Sequence, residues 1–419
     1  NSLWGNCYSG INTANRVIFQ IESGEVPIAS GKENIIAELK TARAFYYSML
    51  LDNHANVPIV TDFKDVELPK QSTRKEVYDF VVKELTENIP LLSEKADPSI
   101  YGRFNKWAAK AVLANVYLNS DVYVGIPKWD EVIQLTDDII NSNSYSLEPN
   151  YKDIFKTENQ NSKELIFAVP YDEIYGTEFS IHMKTLDPLM QRVFGMQAQP
   201  WGGNAAVPQF IDTYDVDDKR LKDTWIQGPQ YDISTGALVI NFVNFLTSID
   251  GTENNQGYRI GKYEIKAGAK GGLSNDFPVF RYASVLFMKA EALLRKGDAN
   301  GAALLVSQVR ARSFPDNPAK ATVTGADLLK GSSYKYGYWE NGEITKAQGG
   351  DDVQYGRFLD ELGWEFAAEG RRRADIIRFG VFTTKRWFNH EVSSAEKTIF
   401  PIPEAELNKN PNLKQNPSY

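Results

Sequence analysis

The chain has 419 residues, enough to bury a large core, and a formal net charge of −8. That balance, with no Lys/Arg-rich run to track phosphates, excludes a nucleic-acid partner. The single cysteine, Cys7, excludes an internal disulfide and a cysteine metal site, His54, His182 and His390 fall in no metal-ligand spacing, and no run approaches the ~20 apolar residues of a membrane-spanning helix.

Leu3 to Glu22 reads as a first helix, with Tyr8, Ile11, Asn15, Ile18 and Ile21 on one face. A second runs from Asn34 to about Asp52, where Ala42, Ala44 and Phe45 mix small and large side chains in the manner of interlocking tetratricopeptide hairpins. Past the loop holding Pro58 and Pro69, Thr73 and Glu76 have the spacing of a capping box, and Val77, Val81, Leu85 and Ile89 repeat every four residues. The partner of that helix runs from Phe104 to Asn119, with Trp107, Ala111, Ala114 and Leu118 on one side. Trp129, Val132, Thr136 and Ile139 mark a further helix.

From Asn141 the texture changes. Glu164 to Val169 reads as a short apolar strand, followed by a long stretch rich in Gly, Asn, Asp and aromatics without sustained helical periodicity. Such a stretch inside a folded chain points to function, and its aromatic richness argues against disorder. The acidic turn at Asp215, Asp217 and Asp218 fails the EF-hand pattern for calcium, because Lys219 and Arg220 stand where an acidic ligand and Gly are required. A turn with Arg220 paired to a carboxylate is expected instead. Gly257 to Tyr263 fails as a phosphate loop, since the spacing between Gly257 and Gly261 is one residue short and Tyr263 replaces the magnesium-binding hydroxyl.

Helical order returns at Phe280. Val279, Ala283, Leu286, Ala290 and Leu293 form one stripe, Gly297 and Asp298 make the turn, and Ala299, Ala302, Val306 and Val309 begin the return helix. Gly331 to Glu343 is expected as a polar, Gly-punctuated loop holding Tyr334, Tyr336, Tyr338 and Trp339. Phe358 to Gly380 reads as one helical segment, with Phe358, Leu362 and Phe366 toward the core. Along it Glu369 and Arg373, Arg371 and Asp375, and Asp375 and Arg378 are spaced to pair. Arginine's planar fork suits such pairs even when partly buried, which implies an ionic latch. The alternative is an acid and base pair at Glu365 and Glu369, one turn apart. The final stretch carries Pro401, Pro403, Pro411 and Pro417, which favour extended chain over helix, and Ile399, Phe400, Ile402 and Leu407 are expected to be buried.

The segment FLDELGWEFAAEGRRRADIIRFG, Phe358 to Gly380, and the closing IFPIPEAELNKNPNLKQNPSY, Ile399 to Tyr419, resemble the C-terminal signature of the SusD/RagB family, surface lipoproteins that bind glycans for an outer-membrane transporter in Bacteroidota. The opening helix, LKTARAFYYSMLLDNHANVPIV, PQFIDTYDVDDKRLKDTW and RYASVLFMKAEALLRKGD resemble other family segments, so the resemblance spans Leu3 to Tyr419. It implies a mainly α, SusD-like fold in a single domain, with tetratricopeptide-like helix hairpins over about 3–142 and 278–380 and few short strands. A loop-rich ligand-face insertion is expected over about 143–277, and an extended tail at 399–419. It also implies that the leader, the lipidated cysteine and an N-terminal segment are absent from this chain. Cys7, with no hydrophobic leader before it, is not that anchor.

A neutral glycan offers hydroxyls to hydrogen-bond and flat C–H faces to cover, for which Trp and Tyr supply rigid platforms. Trp201, Trp225, Tyr231, Tyr338 and Trp339 lie in nonperiodic, polar, Gly-containing loops and are the candidate platforms, with Asn204 in WGGN as a hydrogen-bonding neighbour. The competing role for each aromatic is to plug its loop onto the scaffold. The resemblance implies a non-catalytic protein, lipid-anchored at the cell surface on the outer membrane, that hands oligosaccharides to a SusC-like TonB-dependent transporter. It implies no cofactor, no metal and no catalytic residue. Peptide capture in the manner of the RagB branch is one alternative. Glycoside hydrolysis is another, for which Asp351 and Asp352, adjacent in sequence, supply no recognisable carboxylate separation.

Overall fold

The computed structural model describes residues 2–250 and 252–419. The chain is mainly α with short strands, and it divides into two compact units, Asn1–Ser144 with Ser393–Tyr419, and Tyr145–Val392.

The first unit is built from the helices Ser2–Glu22, Lys32–His54, Arg74–Asn88, Lys106–Leu118 and Trp129–Asn141. The first two pack closely because Gly10 lacks a side chain: a Cβ there would lie 2.4 Å from the Tyr46 ring. The third begins at the expected capping box, where the Glu76 carboxylate accepts from the Thr73 N–H at 2.7 Å and the Thr73 hydroxyl accepts from the Glu76 N–H. Asn15, polar in an otherwise apolar stripe, is explained by Arg43, which donates to it at 2.7 Å and grips Glu84 with two further bonds of 2.7 and 2.8 Å. The closing tail is pinned in the same unit by Asn416, whose amide donates to the carbonyls of His54 and Phe400, both at 2.8 Å. Ile399 and Ile402 are buried as expected, but Phe400 is exposed and Leu407 only partly covered. The tail is not wholly extended either. Pro403 precedes a short helix, Glu404–Lys409, a position where the missing proline N–H is harmless.

In the second unit, strand Leu165–Val169 pairs antiparallel with Phe277–Arg281, which runs straight into the hairpin of helices Tyr282–Arg295 and Ala299–Arg310. Gly228–Tyr231 pairs antiparallel with Leu238–Phe242. The stretch expected as a loop at Gly331 to Glu343 instead contributes a strand, Gly337–Glu340, between antiparallel Glu343–Ala347 and parallel Trp387–Phe388.

The segment expected as one helix from Phe358 to Gly380 is two, Gly356–Phe366 and Arg372–Arg378. Between them Ala368 and Gly370 take left-handed backbone, with φ of 62° and 76°, the conformation that stops helices and that glycine adopts without strain. The break redirects the charges. Glu369 binds Lys262 and Arg281 in place of the Arg373 suggested by spacing, while Asp375 does accept from Arg378 at 2.8 Å.

An ionic cluster fills the centre of this unit. Arg281, wholly buried, donates to Glu164 at 2.7 Å, to Glu365 at 2.8 Å and twice to Glu369 at 2.8 Å. Arg312 reaches Glu164 and Glu365, at 2.6 and 2.7 Å. Arg220, also fully buried, bridges Asp218, Glu361 and Glu365. Burial disfavours charge on these carboxyls, but the cations outweigh it. Arg312, Arg281 and Arg220 hold Glu365 well below the ordinary carboxylate range, and Arg281 and Lys262 lower Glu369. Burial in turn pushes Lys262 down to about 8 against the pull of Glu369.

Candidate functional site

Beside this ionic core, the helix Pro208–Ile211 presents Phe210 to a cleft of about 240 Å³, walled by Trp225, Tyr334, Tyr336 and Trp387. A second hollow of about 190 Å³ shares Phe210, Trp225 and Arg372 with it and is closed by Leu362, Phe366 and Ala367. The aromatic rings brace one another. Phe210 meets Tyr214 and Trp225 edge to face at centroid distances of 5.5 and 6.3 Å, Tyr334 lies 4.5 Å from Tyr336, and Trp387 stacks on His390 at 3.7 Å. Burial pushes the Tyr336 phenol up to about 12, so it remains a neutral hydroxyl.

One buried side chain ties three of the walls together. The Gln209 amide donates to the carbonyls of Lys335 and Gly337, at 2.7 and 3.1 Å, and its oxygen accepts from the Phe388 N–H at 2.6 Å. The helix carrying Phe210, the segment carrying Tyr334 and Tyr336, and the strand carrying Trp387 are thereby fixed on one amide. The fourth wall, Ala205 to Val207, is held by the Ala206 N–H donating to Tyr258 at 2.8 Å.

Arg372 supplies the positive charge of the cleft. Its guanidinium lies 5.8 Å from the Phe210 ring centroid and donates from Nη1 to the Leu359 carbonyl at 2.9 Å. Gly363 makes room for it, since a Cβ there would stand 3.0 Å from Nη1 and 2.9 Å from the Phe210 ring.

The residues selected from sequence fall in different places. Trp201 is 64% exposed. Its backbone N–H donates to the Met183 carbonyl, and Gly202 and Gly203 take left-handed backbone, at φ 76° and 117°, before the exposed Asn204. The next residues are the Ala205–Val207 wall, so Trp201 and Asn204 stand on the segment that enters the cleft. Trp225 is a wall residue, but it is buried, with its indole N–H donated to the Tyr214 hydroxyl at 3.3 Å; it is not the open platform expected. Trp339 is buried too. It donates to the Leu246 carbonyl at 2.5 Å and packs with Leu246 and Phe388, so it plugs its loop onto the unit. Tyr338 is half-buried with the Lys346 ammonium 4.9 Å from its ring centroid. Tyr231 is open, opposite Leu238 on the two-stranded hairpin, and does not line the cleft.

Other candidate groups are already engaged. Lys320 holds both Asp215 and Asp217, at 2.7 and 2.8 Å, and Asp218 serves Arg220, as the turn predicts. Glu365 and Glu369, the possible acid and base, are buried under arginines and offer a substrate no access. Lys385 occupies Asp352 at 2.5 Å. Sequence reasoning missed Gln209, Phe210, Tyr336, Arg372 and Trp387. Only the aromatic density of the Pro208 to Trp225 segment hinted at Phe210.

The SusD family matches residues 119–419 of this chain, and a family described as "Starch-binding associating with outer membrane" matches residues 1–118. The starch-binding protein SusD of Bacteroides thetaiotaomicron is 25% identical, over 91% of this chain and 72% of its own. Among solved structures, surface glycan-binding protein A from Bacteroides thetaiotaomicron in complex with laminarihexaose superposes with a TM-score of 0.73 at 20% identity, covering 99% of this chain and 85% of that one. A laminarin-binding SusD-like protein gives 0.74 at 22% identity, covering 100% and 86%. At these identities the structural likeness establishes the fold.

Proposed function

The chain belongs to the SusD family, and from that premise we propose that it is a non-catalytic glycan-binding protein of the outer-membrane surface, held there by a lipid anchor and passing oligosaccharides to a SusC-like TonB-dependent transporter. The observation that carries this reading is the cleft clamped by Gln209, in which rigid aromatic faces converge within about 240 Å³. Sugar rings are covered by such faces, and the Arg372 guanidinium supplies a polar edge that fixes orientation. Trp201 and Asn204, open on the segment that leads in, extend the binding face. Engagement of Glu365 and Glu369 by buried arginines supports a binding role over a hydrolytic one.

The test is a glycan array followed by calorimetry, run beside a peptide-binding screen and a reducing-sugar assay. Oligosaccharide binding without new reducing ends is the expected result. Binding of peptides alone, or release of reducing ends, overturns it. Co-purification with a SusC-like transporter from outer membranes tests the partner.

A further inference from the structure

Arg372, like Arg259 and Arg371 of the same unit, has no carboxylate within ion-pair distance among the described residues, and of these three it is the one that lines the cleft. The acidic groups around it are committed elsewhere. Asp375, which lines the same hollow, accepts from Arg378 at 2.8 Å, and Asp360, buried and within the field of Arg372, accepts from the hydroxyls of Ser332 and Ser333 at 2.5 and 2.8 Å. The arginines of the ionic core are matched closely: Arg220, Arg281, Arg312 and Arg378 each hold at least one carboxylate within 3 Å. Arg372 spends one N–H on the Leu359 carbonyl and keeps its remaining donors, half-buried, where the two hollows meet.

A guanidinium in a partly desolvated, aromatic-walled cleft favours a bidentate anion far more than a pair of neutral hydroxyls, because charge-assisted bonds are roughly twice as strong and the cation is already stripped of part of its water. We infer that the cleft takes an acidic oligosaccharide, with Arg372 binding the carboxylate of a uronate-type sugar while Phe210, Trp225 and Trp387 cover the ring. This rests on the oligosaccharide reading above and narrows it. A flat ring bearing a carboxylate fits both elements of the site, the facing aromatic walls and the unpaired fork, whereas an acidic peptide uses only the second.

Titration calorimetry of the whole chain with hexameric oligogalacturonate, with maltohexaose and laminarihexaose as neutral hexamers, and with a glutamate-rich hexapeptide decides it. The expected result is preferential binding of oligogalacturonate, weakening as salt is raised. Arg372→Gln is expected to reduce that affinity at least about tenfold, and Arg372→Lys, which keeps the charge and loses the fork, by a smaller factor. Thermal melts of each variant establish that it is folded, and the lysine variant carries the test if the glutamine variant is not. Binding of the neutral hexamers without the uronate, or uronate affinity unchanged in both variants, overturns the acidic-sugar assignment and leaves the oligosaccharide reading standing. Binding of the peptide alone, or of nothing in the panel and nothing on a broad glycan array, overturns both.

Discussion

Arg281 grips Glu369 at two points, Nε to Oε2 and Nη2 to Oε1, both at 2.8 Å and both out of water. The same guanidinium serves Glu164 and Glu365, so its removal takes one cation from each of three buried carboxylates and leaves them to Arg312, Arg220 and Lys262. Arg281→Ala is expected to lower unfolding free energy by about 3 to 5 kcal/mol. Arg281→Lys is expected to destabilise as well, since one ammonium does not reproduce the fork. Urea unfolding measures both, and a loss below about 1 kcal/mol for the alanine variant contradicts the cluster's role.

Spacing along the chain places the ionic latch at Glu369 and Arg373 and puts Arg220 on a turn outside it, but the structure buries Arg220 completely. Arg220→Ala is therefore expected to cost about 3 to 5 kcal/mol. The open pair of Arg103 and Glu38, though its N–O distance is 2.6 Å, is expected to contribute about 0 to 1 kcal/mol. Equal melting temperatures for Arg220→Ala and Arg103→Ala would sink the distinction.

Glu361, Glu365 and Glu369 all titrate below their ordinary value of 4.5 despite burial, because Arg and Lys charges surround them. The unfolded chain thus takes up protons near pH 4.5 that the folded one refuses. The stabilisation is complete above that pH and is lost as pH falls toward the depressed folded values. Melting temperature is expected to drop steeply below about pH 5. A melting temperature independent of pH down to about 3 contradicts this.

Trp201 and Trp339 separate binding from packing. Trp201→Ala is expected to weaken oligosaccharide binding with little change in stability, its side chain being 64% exposed. Trp339→Ala leaves a void beneath Leu246 and Phe388 and is expected to cost about 3 to 5 kcal/mol. Calorimetry beside thermal melts reads both, and a reversed pattern reverses the assignment.

Gly363→Ala puts a methyl group against the Arg372 guanidinium and the Phe210 ring. The helix itself gains from alanine, so the expected effect is chiefly on the cleft: weakened ligand binding, with stability changed by no more than about 1 to 3 kcal/mol. Undiminished affinity would show that neither wall residue has to hold its place.

The helices were legible because their signals are local. A stripe such as Val77, Val81, Leu85 and the capping box at Thr73 are complete within a few turns. The ionic cluster was legible only in its residue types. Glu369 and its partner Lys262 are 107 positions apart, and nothing in a spacing rule joins them, while the stop signal Gly370 was overlooked inside an otherwise periodic run. Candidate platforms divided for a similar reason: Trp201 and Trp339 sit in equally polar, Gly-containing stretches of sequence, and only the position of Leu246 decides that one is a plug. Gln209, which organises the cleft, is a single unremarked amide in sequence because all three of its bonds are long-range.

The wide sequence separation of the charged core has a kinetic consequence. Arg281 must meet Glu164, 117 residues before it, and Glu365 and Glu369, 84 and 88 residues after it. Loops that long close slowly, and a charge cluster sealed from water with one member missing is less favourable than one still hydrated. The unit is therefore expected to cross its highest barrier late, when distant segments arrive together. Substitutions in the cluster should accordingly slow refolding of this unit as well as hasten its unfolding, and on the ribosome the cluster is incomplete until Glu369 has been made.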